Sequence, residues 1–199
     1  MTKLDVLVAG VGGQGTLVAS DILAEVGLRA GFDVKKSDVL GLSVRGGSVL
    51  SHVRWGRDVA SPVVRKGGVD VLLAFEPLEA VRGVEFLRQA GVALVNTQPQ
   101  PPVSVTNGGG VYPPLEDVRR ILEGVASSVV FVDATPAAVK AGSAKAANVV
   151  MLGAFSTLTE VPSAVWEAVI LERVPERFRA LNEAAFRAGV ALMKGGGRS

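Results

Sequence analysis

The 199-residue chain carries 21 Lys and Arg against 19 Asp and Glu, a formal charge of +2, with 48% hydrophobic and 20% charged residues. That length supports one domain around one continuous core, the composition rules out a disordered chain, and near-balanced charges without a basic stripe argue against nucleic acid as a partner. There is no cysteine, which excludes disulfides, thiolate metal ligands, cysteine-held iron–sulfur clusters and a cysteine nucleophile.

The segment Met1 to Val6 runs into a strand pattern with no stretch of signal-peptide character, and no apolar run is long enough to span a bilayer. A soluble, cytoplasmic protein with no membrane partner is expected. Leu4 to Ala9 is a Val-rich run that ends in Gly10-Val11-Gly12-Gly13-Gln14-Gly15, and Thr16 to Ala30 has the apolar spacing of a helix. Phe32 to Lys36 reads as a second strand, so the start predicts a βαβ unit opening a parallel sheet. Ser48 to Trp55 alternates, with Val49, Ser51, Val53 and Trp55 on one side, and predicts a strand closed by Gly56-Arg57-Asp58. Val69 to Phe75 predicts a strand, Pro77 to Ala90 a helix, and Val92 to Asn96 another buried strand.

Gln98 to Pro114 holds five of the ten prolines together with Asn107-Gly108-Gly109-Gly110, which predicts an irregular surface excursion. Leu115 to Gly124 predicts a helix, Val129 to Val132 a strand, and Asp133 to Pro136 a strand-to-helix corner. The last third predicts helices over Ala144 to Leu158, Ser163 to Leu171 and Pro175 to Met193. Residues 1–194 are therefore expected to form a single domain and 195–199 a flexible tail. The fold class is α/β, a Rossmann-like three-layer fold with a mostly parallel sheet and a helical C-terminal third.

Gly10, Gly12 and Gly15 have the dinucleotide-binding spacing in the proper place, between a first strand and a first helix. Such a turn admits phosphate close to backbone N–H groups, or serves only close helix-to-strand packing. A NAD site also wants an acid at the end of the second strand, where this chain has Lys35-Lys36-Ser37 and then Asp38. The two lysines could meet phosphates, but solvated charges are the plainer reading. A second glycine turn, Ser43-Val44-Arg45-Gly46-Gly47, offers an Arg fork suited to carboxylate or phosphate. His52, the sole histidine, has no neighbour at metal spacing and reads as a satisfied strand residue, so no metal site and no catalytic residue are assigned. Of Glu76 and Glu79, the second is expected to cap the next helix and the first to be free for a ligand or partner. Asn148 reads as a helix N-cap, or more sharply as a polar contact to a partner, and Trp55, Trp166 and Phe178 as core or interface anchors.

The run Val8 to Gly15, followed by Asp33 to Arg54 with its Arg45-Gly46-Gly47-Ser48, resembles the gamma-type domain of 2-oxoacid:ferredoxin oxidoreductases. Within that family it is most similar to the beta subunit of indolepyruvate ferredoxin oxidoreductase. Ser61-Pro62, Asp70 to Ala80, Val95-Asn96-Thr97, Asp133-Ala134, Asn148 to Ala154 and Asn182 to Phe186 extend the likeness over nearly the whole chain. Leu40 and Val44 depart from it, standing where the family pattern has His and Gln, which bears on substrate identity. The resemblance implies oxidative decarboxylation of an aryl 2-oxoacid to an acyl-CoA with reduction of ferredoxin. It implies that thiamine diphosphate, magnesium and the iron–sulfur clusters lie in a larger alpha subunit, with ferredoxin reached through the complex. For this chain it implies coenzyme A as a possible ligand, at Gly10, Gly12, Gly13, Gln14, Gly15, Ser43, Arg45, Gly46 and Gly47. The two glycine turns are expected side by side at the carboxyl edge of the sheet, facing coenzyme A or the alpha subunit. Alternatives are the gamma subunit of a pyruvate or other 2-oxoacid enzyme, and a free-standing nucleotide-binding regulatory module.

Overall fold

The computed structural model describes residues 3–41 and 46–195. Six strands form one sheet in the order β2-β3-β1-β4-β5-β6: β1 Leu4–Val11, β2 Asp33–Leu40, β3 Ser48–Gly56, β4 Val69–Ala74, β5 Leu87–Asn96 and β6 Ser128–Val132. Pairings β1·β4, β4·β5 and β5·β6 are parallel, and only β3 runs against the rest. The carboxyl ends of the other five strands thus share one edge, where an open α/β sheet places its ligands.

The period of two in each strand divides the core into two layers. Val6, Val8, Val71, Leu73 and Leu94 face one side, and Leu7, Ala9, Leu72, Ala74, Ala93 and Val95 the other. The second side is covered by α2 Pro77–Gly83 and α4 Leu115–Glu123. The first is covered by α1 Thr16–Arg29, α5 Ala134–Ala141, α6 Ala147–Ser156, α7 Ser163–Arg173 and α8 Arg179–Gly195. A one-turn helix, α3 Val103–Thr106, interrupts the proline-rich excursion. The three layers, mostly parallel sheet and helical C-terminal third are those expected from sequence. Trp55 and Trp166 are core residues with ring centroids 6.2 Å apart, and Phe32 stacks on Trp55 at 5.7 Å. Phe178 stays 42% exposed and is no core anchor.

Every residue of α6 from Val149 to Ser156 is buried, and α8 crosses it at Gly153 and Gly189. A Cβ on Gly189 would run into the Val150 carbonyl oxygen, and one on Gly153 into that of Phe186. The two backbones touch because neither residue has a side chain.

Two strand expectations change. β2 does not pair with β1, because β3 folds back as a hairpin and lies antiparallel between them, with Val6 opposite Val53 and Leu40 opposite Val49. The reason lies in the side chains. Val49, Val53 and Trp55 of β3 are buried, whereas the Lys- and Asp-bearing β2 tolerates the exposed edge. The helix expected over Pro77 to Ala90 stops at Gly83, and a 3-10 turn leads into a strand that begins at Leu87. Leu87 pairs with Val69, and Arg88 reaches Asp70 at 3.0 Å, contacts that favour the extended chain over another helical turn. Gly195 ends α8, while residues 196–199 of the expected tail lie outside the described residues. Among the described residues no helix is long and apolar enough to cross a membrane.

His52 is buried, packs edge-on against Phe86 at 5.3 Å and accepts the Val64 N–H on Nδ1 at 3.4 Å. Burial, with Arg54 adding to it, holds the imidazole below its usual pKa. The ring is a base with a depressed folded pKa, so the unfolded chain takes up its proton first as the pH falls through about 6.5. The stability from neutral His52 is therefore present above that pH and lost below it. Between about pH 7.5 and 5.5, urea midpoints of the wild type should fall more steeply than those of His52→Gln, whose amide oxygen can keep the Val64 N–H. Parallel curves would show that His52 does not carry the dependence.

Candidate functional site

The first glycine turn is built by its own glutamine. Gln14 Oε1 accepts the Val11 N–H at 2.8 Å and its Nε2 donates to the Phe75 carbonyl at 3.4 Å, which ties the turn to the end of β4. Gly13 and Gly15 hold φ of 104° and 79°, a region that disfavours side chains. Gly10 is buried within β1, where a Cβ would stand 2.5 Å from the Thr16 hydroxyl, so its place is one of packing. Gly12 donates its N–H to the Gly47 carbonyl at 2.9 Å and accepts the Gly46 N–H at 3.3 Å. The two glycine turns are thus joined by backbone bonds at the carboxyl edge. Ser43 and Arg45, named from sequence, lie outside the described residues.

Gly13, Gln14 and Gly15 open onto a cleft of about 540 Å³ whose other walls come from Phe75, Asn96, Gln98, Gln100, Thr135, Ala144, Lys145, Ala147, Asn148 and Met151. Gly10, Gly12, Gly46 and Gly47 do not line this cleft. Three helices begin at the cleft: α1 after Gly15, α5 beside Thr135 and α6 at Ala147 and Asn148. None of the three has a side-chain cap at its N-cap residue, and the positive ends of α1 and α5 can receive an anion; at α6 the Ala147 N–H already bonds the Ala144 carbonyl and the Val149 N–H the Asn148 Oδ1 at 2.9 Å. Lys145 is exposed at the rim and has no ion pair among the described residues. Asn96 is 4% exposed; its Nδ2 donates to the Phe75 carbonyl and the Thr135 hydroxyl, both at 3.2 Å, while its Oδ1 is buried without a partner. Asn96 lines the cleft, and a buried acceptor with no partner among the described residues is a group that calls for a donor. Asp133 is the acid at the start of α5, and it accepts the Thr97 hydroxyl at 2.7 Å.

Several sequence expectations are reassigned. Glu76, not Glu79, caps α2: its Oε2 accepts the Glu79 N–H at 2.9 Å. Glu79 is buried instead against the Ser48 hydroxyl and Arg82, each at 2.5 Å, and burial raises its carboxyl pKa despite both partners. Asn148 is not an N-cap, for Ala146 holds that position; its Nδ2 stands where a Cβ on Gly15 would be, 2.5 Å away. Lys36 pairs with Asp21 and with Asp38 at 3.0 Å, and Lys35 with Asp33 at 2.9 Å, so both lysines are engaged away from the cleft.

Around the same edge stand exposed aliphatic side chains: Leu17 and Val18 on the first turn of α1, Val39 and Leu40 at the end of β2, and Val103 and Val111 in the excursion. Each belongs to or follows the carboxyl end of β1, β2 or β5.

The chain matches the family described as pyruvate ferredoxin/flavodoxin oxidoreductase over residues 5–192. It is 38% identical over 197 residues, 98% of each chain, to the indolepyruvate oxidoreductase subunit IorB of Thermococcus kodakarensis. Its fold is similar to that of a keto/oxoacid ferredoxin oxidoreductase gamma subunit from Geobacter sulfurreducens, with a TM-score of 0.71 and 26% identity over 96% of this chain and 99% of that one. It also shares its fold, at a TM-score of 0.75 and 21% identity, with 32% of a 2-oxoglutarate:ferredoxin oxidoreductase chain from Magnetococcus marinus, all of this chain being covered. That enzyme was solved with 2-oxoglutarate, coenzyme A and succinyl-CoA bound.

Proposed function

The chain belongs to the pyruvate ferredoxin/flavodoxin oxidoreductase family, and on that premise we propose that it is the small subunit of an indolepyruvate oxidoreductase, holding coenzyme A for a larger alpha subunit. Thiamine diphosphate, magnesium and the iron–sulfur clusters belong to that partner, through which ferredoxin is reduced. The absence of cysteine supports this division, because a cluster needs thiolates that this chain does not have.

The observation that carries the coenzyme reading is the cleft, where the uncapped starts of α1 and α5 meet the Lys145 ammonium and the Asn96 Oδ1, neither of which has a partner among the described residues. Coenzyme A has phosphates at one end and amides along its arm, and the cleft offers a match to each. The phosphates suit the helix starts and Lys145, and an amide N–H suits Asn96 Oδ1. Bound coenzyme A supplies the thiol that takes the acyl group. This chain's residues bind and orient it: Gln14 fixes the turn, and Thr135 with the Phe75 carbonyl holds the Asn96 amide. The exposed aliphatic rim would then lie against the alpha subunit, closing the cleft between the two chains.

Co-expression with the large subunit should bring both chains through purification together, and the complex should bind coenzyme A in calorimetry. Lys145→Ala should weaken that binding about tenfold at low salt, and less as salt rises. A complex that forms but gives no heat with coenzyme A would remove the ligand reading and keep the subunit assignment; a chain that never co-purifies would remove both.

A further inference from the structure

The excursion between β5 and α4 stands with both feet on one atom. Glu76 Oε1 accepts the Gln100 N–H at 3.1 Å and the Tyr112 hydroxyl, while Oε2 is occupied by the α2 cap. Burial and the facing carboxylate push the Tyr112 pKa above its usual range, so the hydroxyl stays protonated and donates. The bonds of residues 102–109 that are seen run within the excursion itself: Val105 and Thr106 to Pro102, Asn107 to Val103, Gly108 to Val105 and Gly109 to Ser104. It is a self-contained loop closed at its base, and the closure is a carboxylate only 1% exposed.

A buried carboxylate is costly unless its lone pairs are filled, and here donors from three separate backbone stretches fill them. A cap alone needs one oxygen. The second oxygen does something else: it fixes Gln100, and through it the short stretch Gln98-Pro99-Gln100, two of whose side chains are in the wall of the cleft. Glu76 itself is not part of that wall.

We propose that Glu76 is a positioning residue for the ligand cleft, its buried carboxylate latching the 98–114 loop so that Gln98 and Gln100 stand as part of the wall that meets coenzyme A. This rests on the coenzyme reading given above. Glu76→Gln keeps the shape but leaves one oxygen to accept, so that either the α2 cap or the Gln100 foot loses its acceptor. Tyr112→Phe removes one foot and leaves the cap intact, which keeps the test sound even if the first variant folds poorly.

In the assembled enzyme, KM and Kd for coenzyme A should rise about tenfold in Glu76→Gln and about threefold in Tyr112→Phe. The KM for the oxoacid and kcat at saturating coenzyme A should stay within about twofold of wild type, and amide exchange over 98–114 should speed up in both variants. Faster loop exchange with an unchanged KM for coenzyme A would overturn the latch, as would a uniform loss of all parameters in step with the melting temperature. Failure of the wild-type complex to bind coenzyme A is a different result, which removes the coenzyme reading on which the latch rests.

Discussion

Gly189→Ala is expected to destabilise the protein by about 3 kcal/mol or more, out of all proportion to one added methyl group. The methyl would have to occupy the position of the Val150 carbonyl oxygen, with the Ala154 backbone nitrogen on its other side. Neither can swing away as a side-chain tip could, because both belong to a helix buried along its length. The only relief is to part α6 from α8, which opens voids around Phe155, Phe186 and Ala185, all at most 1% exposed. Gly153→Ala should behave alike through the Phe186 carbonyl. Chemical denaturation gives the measurement, and a melting temperature lower by roughly 6–12 °C is the thermal counterpart. Gly195→Ala, at the end of the same helix with open space around it, is the control and should be nearly neutral. A variant at 189 as stable as wild type would mean that the two helices do not touch.

Leu40→Asp combined with Leu17→Asp is expected to weaken association with the large subunit at least about 100-fold while leaving the melting temperature of the isolated chain unchanged. Leu40 is 58% exposed and Leu17 37%, and neither belongs to the buried core, so replacing them removes little core packing. In the complex each would carry a charge into an apolar contact, losing an anchor and adding a desolvation cost. The control is Leu28→Asp, at the opposite end of α1 and 54% exposed, which should leave association intact. Equal losses from all three positions would show that the carboxyl edge is not the docking surface.

The outline of the fold was legible because its signals are local. Val-rich runs, the Gly10 to Gly15 turn and the apolar spacing of α1 each report on a few neighbouring residues, and each element stands where its pattern predicts. The strand order was not legible. Whether β2 or β3 lies beside β1 is decided by pairings such as Val6 with Val53, nearly fifty residues apart, and by competition between two strands for one buried place. The site divides in the same way. Gln14 belongs to a motif, whereas Lys145, Asn96 and Thr135 come together only because the end of β5 and the starts of α5 and α6 meet at one edge, and beyond the likeness at Val95-Asn96-Thr97 nothing in their separate neighbourhoods marks them. The exchange of roles between Glu76 and Glu79 has a local cause. The helix starts at Pro77, so the residue before it is the one whose side chain reaches back over the first turn.

The two backbone bonds between Gly12 and the Gly46-Gly47 pair connect the hairpin at the rim to the turn that begins α1. A neighbour that grips Gly46 and Gly47 therefore also acts on that turn. Under the proposed function, any coupling of partner binding to cleft occupancy through this turn is reciprocal, each changing the affinity of the other by one common factor.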